Sequence, residues 1–153
     1  LKVIGIRRSP RGADDPVDEL HPPSALPGLL PRCDWLVIAC PLTPETRGLV
    51  DAAAIAALPK GARVINIARG EIVDEPALVA ELVSGRISAG LDVFAHEPGV
   101  PAELLELPNV VFTPHIGSAT RQTREAMTRL VVDNLLAIAR GDPPLTPVQA
   151  RPR

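Results

Sequence analysis

Short apolar runs alternate with helical stretches along this chain, and that alternation constrains its fold more than any other feature. Lys2 to Ile6, Trp35 to Ala39, Ala62 to Ile67, Ile87 to Asp92 and Val110 to Phe112 read as strands. Asp51 to Leu58 reads as an alanine-rich helix with Asp51 as its N-cap. Glu75 to Ser84 reads as a helix ended by Gly85. A short helical piece fits Ser24 to Leu30, inside a proline-rich stretch, and a single turn fits Ala102 to Glu106. A long helix should run from Ala119 to Ala139, closed by Gly141 and Pro143. Its apolar residues Met127, Leu130, Val131, Leu135 and Ile138 recur at helical spacing. Strands separated by helices imply an α/β fold with a parallel, doubly wound sheet.

Three of the strand-like runs end in one charged or titratable residue. Arg69 follows Val64 to Ala68, Glu97 follows Leu91 to His96, and His115 follows Thr113-Pro114. The carboxyl edge of a parallel sheet is where α/β enzymes place their chemistry. An arginine grips a carboxylate with two prongs. A histidine paired with a glutamate holds and delivers a proton near neutral pH. Together these residues suggest reduction of a keto acid, or its reverse.

Composition narrows the alternatives. At 153 residues the chain is one domain by size, and 46% hydrophobic residues suffice for a core. A net charge of −2 indicates no nucleic-acid partner, and 2% aromatics leave little to stack on bases. Only Arg7, Arg8 and Arg11 cluster. No apolar run approaches the roughly 20 residues that span a bilayer, and no signal peptide is legible, so the expected location is the cytoplasm. Cys33 and Cys40 fit neither a redox pair nor a metal cluster and read as buried thiols, and no metal is expected.

At these motifs the sequence strongly resembles the D-isomer-specific 2-hydroxyacid dehydrogenases. The stretch from Leu58-Pro59-Lys60-Gly61 through Asn66-Ile67-Ala68-Arg69-Gly70 to Val73-Asp74 is similar to that family's most specific signature. Cys33-Asp34-Trp35 through Pro41-Leu42-Thr43-Pro44-Glu45-Thr46 resembles an earlier one. Trp35 stands where a smaller apolar residue is usual, and Ala39 where His or Asn is common. The resemblance implies a role for each matching residue. Arg69 would bind the substrate carboxylate and polarise the carbonyl. His115 would be the acid in reduction and the base in oxidation. Glu97 would hydrogen-bond His115, orient it and favour its protonated form. Asp92 would accept from the nicotinamide carboxamide. Pro41, Thr46, Ala68 and Gly117, with Arg69 and His115, would line the cofactor groove. A glutamate at position 97 also favours hydroxy-acid chemistry over the related formate dehydrogenases, where glutamine is usual.

NAD-binding folds place an acidic residue at the end of the second strand, on the ribose hydroxyls. Here Val3-Ile4-Gly5-Ile6 ends in Arg7-Arg8-Ser9. Arg7 takes the acidic position, and Arg8 and Ser9 can donate to a 2′-phosphate. This resembles the NADP-preferring glyoxylate and hydroxypyruvate reductases, so NADP is the expected cofactor and NAD the alternative. A solvated basic turn is the bland reading.

The Gly-rich phosphate loop, the strand before it and the separate substrate domain are absent from these residues. The expectation is therefore a partial Rossmann-like domain over residues 1–141 and a tail, extended or loose, over 142–153. On that reading the chain is the carboxyl-terminal fragment of a dehydrogenase, with little activity alone. Val3 to Ile6 would then lack a neighbour on one side. The long helix would cross toward the missing domain and leave an apolar side bare. A homodimer of the full-length protein is implied by the resemblance.

Each of these residues has a structural alternative. His115, Arg69 and Glu97 taken singly would be loop or surface residues. His96 reads as a loop residue, and His21 as structural or exposed. Asn66 reads as the holder of its loop, Asp74 as a helix cap, and Asp34 as an anchor at the start of a strand. The leading function is an NADP-linked reductase of a small 2-keto acid. The alternatives are an NAD-linked phosphoglycerate dehydrogenase-like enzyme, a non-catalytic nucleotide-binding scaffold, and a decayed gene product.

Overall fold

The computed structural model describes residues 1–9, 12 and 16–148. Among the described residues six strands occur, all paired in parallel. They are β1 (Ile4–Ile6), β2 (Glu19–His21), β3 (Trp35–Ile38), β4 (Arg63–Asn66), β5 (Ser88–Leu91) and β6 (Val110–Phe112). β1 pairs with β2 alone, and β3 to β6 form a second sheet in the order β3-β4-β5-β6. Among the described residues the four α-helices are α1 (Leu26–Leu29), α2 (Ala52–Ala57), α3 (Glu75–Val83) and α4 (Arg121–Ala139). The alternation read from the sequence is thus the α/β order observed. The chain divides into two units, Leu1–Pro114 and His115–Arg153.

Local chemistry explains where the helices start and stop. The Asp51 carboxylate accepts the Ala54 N–H at 2.8 Å, and Asp74 accepts that of Ala77 at 3.1 Å. Thr120 does the same for Thr123 at 3.2 Å, so α4 begins two residues later than expected. Gly85 and Gly141 follow α3 and α4 with φ of +71° and +84°, a left-handed turn that glycine adopts without steric cost. Arg86 finishes α2 from a distance. Its guanidinium donates to the carbonyls of Ile55, at 2.7 Å, and Leu58, and its Nε meets Glu81.

The core lies on one face of the larger sheet. The register aligns Ile38 with Asn66 and Leu91, and Val64 with Ala89 and Val110. These side chains are buried with Ile55, Leu58, Leu78 and Leu82 from α2, the residue following it, and α3. Each fully buried aliphatic side chain contributes about 1.5–3 kcal/mol. Trp35, Val37 and Val111, at the alternate positions, are exposed. The Arg63 guanidinium stacks on the Trp35 ring at 4.8 Å from its centroid, which accommodates this bulkier residue at the start of β3.

β2 falls in the proline-rich stretch where no strand was expected. Only three residues long, it lacks a recognisable period. Its first residue, Glu19, gathers Lys2, His21 at 2.9 Å and Arg32 at 3.4 Å. Lys2 first, then His21, hold the Glu19 carboxyl down to about 2. His21 is therefore a half-buried structural residue, as expected. β1 has β2 on one side, and among the described residues no strand pairs with its other edge.

In the second unit the α4 residues Met127, Leu130, Val131, Leu135 and Ile138 are exposed. The tail is tied to the helix as far as Thr146, whose N–H and hydroxyl bond to Asn134 at 3.2 and 3.1 Å. Arg11 and the end of the tail beyond residue 148 lie outside the described residues. Cys33 and Cys40 are half-buried and unpaired, and burial pushes the Cys33 thiol up. No helix among the described residues is long and apolar enough to cross a membrane.

Candidate active site

The carboxyl ends of β4, β5 and β6 fall on one edge because the strands are parallel and adjacent. Arg69 leaves that edge three residues after β4 and Asp92 immediately after β5. Glu97 follows in the same loop, and His115 comes three residues after β6. The first three belong to the first unit, and His115 opens the second.

Asn66, the last residue of β4, builds the Arg69 loop. It is 2% exposed, it accepts the Ala68 N–H at 3.0 Å and it donates to the Arg69 carbonyl at 3.0 Å. Its role as holder of the loop was legible in the sequence. Arg69 itself is exposed and extended (φ −147°), with one guanidinium nitrogen 2.6 Å from the Ala68 carbonyl.

The next residue joins two of the site's loops. A Cβ added to Gly70 would lie 2.0 Å from the Phe94 carbonyl carbon and 2.2 Å from the Ala95 nitrogen. Backbone thus lies directly on backbone, and only glycine fits. The Arg69 and Glu97 loops are thereby held together. The Glu97 carboxylate accepts the Phe94 N–H at 3.1 Å, and Glu75 accepts that of Ala95 at 2.9 Å.

Asp92 is a buried carboxylate at the end of β5. The Thr113 hydroxyl donates to it, and the Thr113 N–H continues the ladder to Leu91 at 2.9 Å. His115 lies two residues beyond Thr113 with φ +52°, a left-handed backbone in a residue that is not glycine. Such strain costs about 1–3 kcal/mol and clusters at functional sites.

The remaining expected residues lie on other loops. Pro41 and Thr46 belong to the turn after β3. There the Thr46 hydroxyl donates to the Pro41 carbonyl at 2.7 Å and accepts the Thr43 N–H at 2.8 Å. Arg7, Arg8 and Ser9 follow β1 directly. The Arg7 N–H donates to His21 and its Nε to the Ser9 carbonyl at 3.2 Å, so Arg7 braces this turn, while Arg8 and Ser9 are exposed. Sequence reasoning missed Gly70, Glu75 and Thr113. Each acts through a contact of long sequence separation that no local pattern announces.

A parallel α/β sheet with titratable residues along its carboxyl edge defines a nucleotide-binding domain of Rossmann type. Comparison with known proteins makes this specific. The family described as D-isomer specific 2-hydroxyacid dehydrogenase, NAD binding domain, matches residues 1–117, and the chain belongs to it. Hydroxyphenylpyruvate reductase of Plectranthus scutellarioides is 56% identical over 122 residues, which is 78% of this chain and 39% of that protein. Glyoxylate reductase of Pyrococcus horikoshii is 50% identical over 122 residues, 79% of this chain and 36% of that protein. The chain therefore spans well under half the length of these relatives. Among solved structures, the NADPH-dependent glyoxylate/hydroxypyruvate reductase of Sinorhizobium meliloti, in complex with NADP and malonate, superimposes with a TM-score of 0.86. It is 42% identical, and the match covers 97% of this chain and 46% of that one.

Proposed function

We propose that the enzyme carrying this chain interconverts a small 2-keto acid, of glyoxylate or hydroxypyruvate type, and the corresponding 2-hydroxy acid with NADPH. The observation that carries the reading is the shared sheet edge, from which Arg69, Asp92 and Glu97 depart, with His115 following three residues after β6 in the chain. The names of the relatives support the same substrate class.

The cofactor supplies the hydride; this chain supplies binding and a proton. The Arg69 guanidinium binds the substrate carboxylate in a two-pronged grip and draws electron density from the adjacent carbonyl. The imidazole of His115 gives its proton to the carbonyl oxygen as the alcohol forms, and takes it back in the reverse direction. Glu97 is its carboxylate partner, which orients the ring and balances its charge. Asp92, held by Thr113, receives the carboxamide of the nicotinamide.

The residues beyond β1 fit a 2′-phosphorylated cofactor. Arg8 and Ser9 are exposed donors there, and Arg7 stands where an NAD enzyme would place a carboxylate. For that reason NADP is the first assignment and NAD the second, and an NAD-linked phosphoglycerate dehydrogenase-like reading is disfavoured. The full-length enzyme would act as a homodimer.

The test is an assay of the enzyme with NADPH or NADH and glyoxylate, hydroxypyruvate or hydroxyphenylpyruvate. Oxidation of NADPH by a 2-keto acid, lost in Arg69→Ala and His115→Ala, is the expected result. Tight nucleotide binding without turnover on any 2-keto acid would instead make the protein a nucleotide-binding scaffold.

A further inference from the structure

We propose that Glu75 is a positioning residue for proton transfer, because it holds the loop on which Glu97 is carried. This inference rests on the function proposed above. Glu75 is the first residue of α3, directly after the Asp74 cap. An acidic residue there ordinarily serves its own helix, by facing the positive end of the helix dipole. Glu75 does something further. Its carboxylate accepts the N–H of Ala95, 20 residues away, at 2.9 Å.

That bond completes a clamp. Two successive amides of the loop end on carboxylates: Phe94 on Glu97 itself at 3.1 Å, and Ala95 on Glu75. Gly70 presses against the same two residues, with no room for a methyl group. Gly70 and Glu75 sit in the segment that begins at Arg69. One short segment thus grips the Glu97 loop at two points, and the distance from the carboxylate-binding arginine to Glu97 is set away from the substrate. Charged acceptors hold amides about twice as strongly as neutral ones, which suits a carboxylate to this task. Without it the half-buried Ala95 N–H loses its partner, and the loop samples other arrangements.

Two readouts test this, and both compare Glu75→Ala with Glu75→Gln, which keeps an acceptor oxygen at similar reach. The first is amide hydrogen exchange on the full chain. Glu75→Ala should accelerate exchange at Ala95 by on the order of tenfold or more, with little change in β4. Glu75→Gln should restore most of the protection. Acceleration spread evenly over α3 and β4, or none at Ala95, would overturn the proposal. The second readout is turnover. Glu75→Ala should lower kcat on the order of tenfold with KM for the keto acid nearly unchanged, and Glu75→Gln should recover it. A wild-type enzyme that reduces 2-keto acids while Glu75→Ala turns over normally would overturn the role of Glu75 alone. A wild-type enzyme with no such activity would overturn the functional reading first, and this role with it.

Discussion

Replacing Asn66 tests how the Arg69 loop is built. The side chain is 2% exposed and makes two bonds of 3.0 Å, one accepted from Ala68 and one donated to Arg69. Asn66→Ala removes both, at about 1 kcal/mol each. It also leaves the Ala68 N–H, in a buried residue, without its acceptor, which adds about 1–3 kcal/mol. The expected loss is about 3–5 kcal/mol, measured by urea denaturation. A loss under about 1 kcal/mol would mean that water replaces both bonds, and the loop would not depend on this side chain.

Asn66→Asp sharpens the test. An aspartate still accepts from Ala68, but ionised it has no proton for the Arg69 carbonyl and sets an anion against it. Burial and that carbonyl both raise its pKa above the unfolded value, which is about 3.9. The sign follows from the protonated form being the one the folded state prefers. Stability is full below the unfolded pKa and falls as pH rises through the folded one. Asn66→Asp should therefore approach wild-type stability near pH 4 and lose about 2–3 kcal/mol by pH 7, relative to wild type at each pH. A pH-independent difference would refute the assignment of the donated bond.

Other expectations are simpler. Arg86→Ala should destabilise by about 2–3 kcal/mol in urea, because its mostly buried guanidinium caps the carbonyls of Ile55 and Leu58; a change under about 0.5 kcal/mol would show that solvent serves them equally. An NMR titration of Glu19 should give a midpoint about 2, and Lys2→Met should move it up; this group contributes stability above its unfolded pKa that is lost as pH falls toward about 2. A Glu19 midpoint in the ordinary carboxylate range would remove the ion cluster at the start of β2. His115→Asn, a residue that tolerates positive φ, should leave the melting temperature unchanged and lower kcat at least about a hundredfold, whereas His115→Val should also cost about 1–2 kcal/mol. Arg8→Glu should raise KM for NADPH at least about tenfold and spare NADH; equal effects on both cofactors would mean that Arg8 does not meet the 2′-phosphate.

Much of this fold is legible because its signals are local. Asp51, Asp74 and Gly85 announce the helix ends through short-range chemistry, and the structure places all three in those roles. The strands of the larger sheet are short apolar runs, so each was found within one or two residues of its bounds. β2 escaped because Glu19-Leu20-His21 has one apolar residue and is held by pairing to β1 and by ions from Lys2 and Arg32. Those partners are distant in sequence, and no pattern in residues 19–21 encodes them.

The candidate site divides along the same line. Arg69, Glu97 and His115 stand out in the sequence as candidates because each is a polar residue set after an apolar strand, where solvent exposure needs a reason. The parts that hold them do not. Gly70 looks like any loop glycine until Phe94 and Ala95 are seen against it, and Glu75 looks like an acid serving its own helix. The residues that would touch the substrate are thus separable from those that fix their spacing. The second group does its work through backbone amides, whose sequence is free to vary as long as the chain passes there. This is why a glutamate at the start of a helix can govern a loop 20 residues further on, and why substitutions at Gly70 and Glu75 should damage turnover without altering a single group that meets the keto acid.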